Sequence, residues 1–278
     1  MSNPKEDKHF YVDNASPTEV ANVLRILTPT IGKTPDDIAL ELTRDYGYSM
    51  QKDHSYSPRR LYDLGLAEQY KNASKTFYTL SSIGSKVQSI ASYDEYYAYD
   101  ILHYLHYTGY RIRGRKSLWS YRKCCELIWS MKSIGDKQHI AQMIQSFMAM
   151  EFPELDFSAK VGARFNHTAV GAVCTWLKAL SPSAFAQHQL VPRSIEHYEL
   201  SLLALDDLYT STCIRYGDPI ILSEEIADQI RSIFLVDPQC SYDNLLLATQ
   251  IASHIISKRD TLAGTAFTLK RPFTVEDL

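Results

Sequence analysis

The chain has 278 residues, 45% of them hydrophobic and 22% charged, with 11 glycines, 11 prolines and a formal net charge of -3. Such a composition can bury a core and excludes collagen and extended disorder; no apolar run approaches the roughly 20 residues that span a bilayer. The polar opening Met1 to His9 lacks the apolar centre of a secretory signal, which makes the cytoplasm the expected address. The five cysteines offer neither a disulfide framework nor a CxxC pair for zinc.

Charge is distributed unevenly. Residues 1–90 balance 11 Lys/Arg against 11 Asp/Glu, residues 91–135 carry 7 against 4, and residues 201–278 carry 6 against 11. The C-terminal quarter is therefore acidic, but a local basic face matters more for a polyanionic partner than the sum over the chain.

In chain order, residues 1–15 read as a mobile arm. Ser16-Pro17-Thr18-Glu19 is a capping box that starts a first helix, with Val20, Val23, Leu24 and Leu27 on one face. Thr34-Pro35-Asp36-Asp37 starts a second helix, which closes at Gly47. A third ends at Arg59 to Leu64, with Gly65 placed for the left-handed C-terminal position. Leu66 to Tyr70 and Thr76 to Leu80 read as strands around a polar tip, Lys71 to Lys75.

Leu61 to Gln69, followed by Phe77-Tyr78-Thr79-Leu80-Ser81-Ser82-Ile83-Gly84, resembles the recognition-helix end and "Y-x-L-T-x-x-G" strand exit of prokaryotic winged-helix DNA-binding proteins, with Ser81 where Thr is commoner. The resemblance covers residues 16–90 and implies a winged helix-turn-helix fold. The Leu80 to Val87 exit, Leu102-His103-Tyr104-Leu105 and Leu118-Trp119-Ser120-Tyr121 also resemble uncharacterised winged-helix proteins associated with phage-defence systems. That likeness implies a DNA-associated component of a larger defence complex.

Beyond Ser92 the pattern is helical: a tyrosine-rich helix from Ser92, helices from near Ser117, from His139 to Met150 and from Phe165 to Leu180, then Ile195 to Ile214, Ser223 to Phe234 and Ser241 to Ser257. Thr265 to Lys270 alternates as a strand. The closing helix pair and strand allow a second, degenerate winged-helix-like unit. The expected fold is mainly α, with a winged-helix domain at 16–90, a helical middle at 91–190 and a helical C-terminal region at 191–278. Seven tyrosines between Tyr93 and Tyr110 exceed what one buried stripe needs, so residues 93–110 and the C-terminal region are expected to serve a protein partner or homodimerisation.

The candidate DNA contacts follow from the wing architecture, which needs cations and donors on the third helix and the tip. They are Lys52, His54, Tyr56, Ser57, Arg59 and Arg60 around the third helix, Lys71, Asn72 and Lys75 at the tip, and Arg111, Arg113, Arg115 and Lys116 in a basic helix connection. Arg59 and Arg60 suit bidentate contacts to guanine or phosphate. No G-x-x-x-x-G-K-[ST], H-E-x-x-H, G-x-S-x-G or G-x-G-x-x-G occurs, and Glu154, Asp156 and Lys160 lack the spacing of a nuclease site. His103 and His106, at i and i+3, read as partly exposed surface histidines, and Cys124 and Cys125 as packing residues. The expected function is non-catalytic binding of double-stranded DNA, without metal or cofactor, in transcription regulation or phage defence. The alternative is a protein-interaction adaptor that docks partners with its winged helix and its acidic C-terminal region.

Overall fold

The computed structural model describes residues 10–12, 15–47, 56–155 and 165–278. Among them the chain is mainly α-helical, with eleven α-helices and seven short strands. Among the described residues no helix is long and apolar enough to cross a membrane.

The start signals in the sequence work through orphan amides. Glu19 donates its backbone N–H to Ser16 Oγ at 3.1 Å and opens α1 (Pro17–Ile26). At α2 (Pro35–Tyr46), Asp37 N–H bonds Thr34 Oγ1 and the Asp37 carboxylate accepts from Thr34 N–H, so two donors are satisfied reciprocally. Gly47 ends α2 with φ 64° and Gly65 ends α3 (Tyr56–Asp63) with φ 78°, both in the left-handed region. β1 (Ala67–Asn72) and β2 (Lys75–Leu80) pair antiparallel from Ala67 opposite Leu80 to Asn72 opposite Lys75. Lys33 adds a single bridge to Tyr78 on the outer side of β2.

After α4 (Ser82–Ala91), α5 (Glu95–Arg113) runs through the middle of the molecule. Every residue from Tyr97 to Gly109 is buried. That answers the tyrosine excess and corrects the expected interface at 93–110. Tyr97, Tyr99, Tyr104 and Tyr107 meet neighbours within the same chain on several faces, leaving Tyr93 and Tyr96 as the exposed rings. α6 (Lys116–Met131), α7 (Lys137–Glu151) and α8 (His167–Ala179) pack against one another, and the small ribbon β3 (Phe185–Ala186) and β4 (Gln189–Leu190) follows. The arm expected at 1–15 is also partly core: Phe10 and Val12 are fully buried, and the Phe10 ring meets Trp119 edge-on at 5.8 Å and Phe152 at 5.3 Å.

The C-terminal region holds α9 (Tyr198–Thr212), β5 (Ile220–Ile221), α10 (Glu224–Phe234), α11 (Pro238–Ile251), β6 (Ile256–Thr261) and β7 (Gly264–Leu269). Its sheet order is β5-β7-β6. This resembles the N-terminal order of helix, two helices and hairpin, with the two-residue β5 beside the second arm of its hairpin where the first unit has only the single Lys33 bridge to β2. One terminal strand was expected; the structure has a hairpin and an added edge. β6 escapes the periodic reading because only Ile256 of its six residues is buried, so a polar run forms an exposed edge strand. The last residues strap this unit back onto the first, where Ser82 Oγ donates to Glu276 at 2.8 Å.

Candidate nucleic-acid interface

α3, the β1–β2 hairpin and the turn from α5 into α6 carry the predicted contacts. The buried Asp63 carboxylate at the C-terminal end of α3 ties two of these elements together. It faces Arg115 Nε at 3.3 Å and Arg59 Nε, one turn earlier in α3, at 3.9 Å. The Arg115 guanidinium also stands over the Tyr62 ring, 5.7 Å from its centroid. Arg113, exposed, lays its guanidinium over Gly65, where an added Cβ would come within 2.1 Å of it. Three arginines from two distant segments therefore surround the end of one helix, and the Arg59 side chain is 49% exposed.

Toward the hairpin, burial pushes the Tyr78 phenol up while the Arg59 charge opposes it. Lys71, Asn72 and Lys75 are exposed at the tip, where Ala73 and Ser74 take φ values of 45° and 65°. Lys75 reaches toward α2: it and Lys33 add to the Thr34 hydrogen bonds that hold the Asp37 carboxyl below its ordinary range.

Several predicted residues do something else. Arg60 is 1% exposed and points inward, with Nη1 3.3 Å from His106 Nε2. Residues 59 and 60 are adjacent on a helix and must face about 100° apart, so both could not lie on the surface of a helix packed this closely. Arg111 belongs to the last turn of α5 and pairs with the Asp207 carboxylate of α9, with Nη1 also donating to the Asp207 carbonyl at 3.2 Å. Lys116 is drawn onto the Phe152 ring, 3.5 Å from its centroid, and so away from a phosphate. Lys52 and His54 lie outside the described residues, as do Asp156 and Lys160; Tyr56 and Ser57 begin α3.

The two histidines of α5 are fully buried, not surface groups. His103 Nδ1 meets the Tyr121 hydroxyl at 2.7 Å and its Nε2 the Ile233 carbonyl at 2.6 Å, so Nε2 carries the proton and Tyr121 donates. His106 lies flat on Tyr121 with centroids 3.6 Å apart and meets Trp176 edge-on. Burial pushes His103 down to about 4 and His106 well below its ordinary value, so both are neutral. Cys124 and Cys125 are buried, and burial raises both thiols far from a reactive range. No group of three His, Cys, Asp or Glu among the described residues is placed to hold a metal ion.

Neither the models of known protein families nor the curated proteins match this chain. Sequence reading missed Asp63, the residue that gathers the arginines. Its signal was an acid at i+4 from Arg59, a spacing common on any solvated helix.

Proposed function

We propose that the chain is a non-catalytic winged-helix protein that binds double-stranded DNA through α3, the β1–β2 tip and the arginines of the α5–α6 turn. It would act in transcription regulation or as a DNA-associated component of a prokaryotic phage-defence complex. The observation that supports this best is the Asp63 carboxylate holding Arg115 beside Arg59, with Arg113 over Gly65. On duplex DNA these three arginines would neutralise neighbouring phosphates, with Lys71 and Lys75 extending the track. Arg60, Arg111 and Lys116 are left out because each already contacts another residue of the chain: His106, Asp207 and the Phe152 ring.

A direct test is fluorescence anisotropy of a labelled random-sequence duplex of about 20 base pairs at about 50 mM salt. Binding is expected, weakened by Lys71→Ala with Lys75→Ala at an unchanged urea midpoint. No retention of the duplex at low salt would remove the reading.

The adaptor reading draws on α11, which stands in the C-terminal unit where α3 stands in the first. Residues 238–251 contain no Lys or Arg, and Leu247 and Ile251 are exposed. Such a helix suits a protein partner better than a phosphate backbone, so the two units would divide the work: the first for DNA, the second for protein.

A further inference from the structure

Between the N-terminal ends of α5 and α9 lies a half-open cavity of about 440 Å³, lined by residues of α5, the Ser181-Pro182 turn and the segment leading into α9. Its volume is in the range of small-molecule sites. Buried Asp100 lines the cavity, paired with Arg193 behind it. Arg193 spends all five of its N–H donors there: on both Asp100 oxygens at 2.7 and 3.0 Å, on the carbonyls of Ser181 and Pro182 at 2.7 Å each, and on that of Phe234 at 3.2 Å. It has nothing left to offer a ligand.

The walls are aromatic. His197 lies flat on Tyr97, with centroids 3.7 Å apart and planes 9° apart, and Tyr96 lines the same cavity with 60% of its surface exposed. Asp94 uses one carboxylate oxygen to cap α5 at the Tyr97 N–H and the other to accept from His197 Nε2 at 3.1 Å. Glu196 makes no hydrogen bond or ion pair with any described residue.

Acidic side chains on a flat surface would be only a solvated patch. Here they stand around a concavity with a ring face beside them, and the basic groups near it are already used: Arg193 by its five bonds, His197 by Asp94. The site is rich in acceptors and poor in donors. It would reject phosphates and carboxylates, and would accept a group that brings several N–H donors, a positive charge and a surface able to lie on a ring.

We propose that this cavity binds an organic cation through a guanidinium or primary ammonium group, with the carboxylates of Asp94 and Glu196 as acceptors and the Tyr96 ring as the face contact. The inference does not depend on the α3 surface. The cation can come from a free small molecule or from the side chain of a partner protein, and the same chemistry serves both.

Isothermal titration calorimetry on the full chain distinguishes them, with agmatine as the free cation and acetyl-Gly-Arg-Gly-amide as the side-chain probe. Binding of agmatine, weakened about tenfold or more by Asp94→Asn with Glu196→Gln, is the expected result for a free ligand. Binding of the tripeptide alone, with the same loss, supports a partner's arginine. Both substitutions spare the fold, because Asn caps a helix as Asp does and Glu196 is exposed. Tyr96→Ala, also at an exposed position, should weaken the bound probe about threefold. Failure of both probes, or binding indifferent to all three substitutions, would overturn the proposal.

Discussion

Arg60 and His106, 46 positions apart in the chain, meet at 3.3 Å in the interior and fix α3 to the central helix α5. From His106 the contact continues by ring stacking to Tyr121, then by hydrogen bonds through His103 to the Ile233 carbonyl at the end of α10. One run of polar and aromatic groups thus joins α3 of the first unit to α10 of the second.

Arg59 and Arg60 should therefore respond oppositely to truncation. Arg60→Ala removes a fully buried side chain and leaves His106 facing a void, a loss of about 3 kcal/mol. Arg59→Ala alters a half-exposed contact and should stay within about 0.5 kcal/mol of wild type. Urea unfolding of the two variants checks this; equal midpoints would mean that Arg60 carries no structural load.

Acid should weaken the fold earlier than carboxylates alone would cause. His103 takes up a proton near its ordinary 6.5 when the chain is unfolded, but only near pH 4 when buried. The unfolded state then binds more protons between those values, so stability rises with pH across that window and is fully present above about 6.5. The loss on going down to pH 4 is about 3 kcal/mol for His103, and His106 adds to it in the same direction. His103→Gln should flatten the fall in urea midpoint between pH 7 and 4.5. A variant whose midpoint falls in parallel with wild type would show that His103 is not held neutral.

Two glycines near the interface should separate stability from binding. An alanine Cβ at Gly84 would press to 1.9 Å from the Leu66 carbonyl oxygen, a backbone atom that cannot step aside, so Gly84→Ala should cost 2 kcal/mol or more by order of magnitude. At Gly65 the obstacle is the movable Arg113 side chain, and the left-handed φ adds about 1 kcal/mol. Gly65→Ala should therefore weaken duplex binding by more than its thermal shift explains. If its affinity loss only tracks its unfolding, Arg113 plays no part at the surface.

The sequence exposed those parts of the fold that rest on local chemistry. Ser16, Thr34 and Ser223 cap the helices where hydroxyl and spacing foretold, and Gly47 and Gly65 end helices in the left-handed region. The glycine of the "Y-x-L-T-x-x-G" run has its reason in the close approach of α4 to Leu66. What stayed hidden depends on contacts between distant segments. Nothing local distinguishes Arg60 from Arg59, or marks His103 and His106 as core groups, until α5 is known to be enclosed on every side. The C-terminal hairpin was only half legible because β6 alternates in neither charge nor apolarity, and β5 is two residues long. Around α3 the cations are legible in the sequence, but the role of Asp63, which pairs with Arg59 and Arg115, is not.

The slope of log affinity against log salt for the labelled duplex, compared between wild type and an Arg59→Ala, Arg113→Ala variant, bears most directly on the DNA reading. Each lost phosphate contact lowers the slope by about one, so a reduction of about two at an unchanged urea midpoint is the predicted result. A folded variant that keeps the wild-type slope would contradict the assignment of the arginines around Asp63 to DNA.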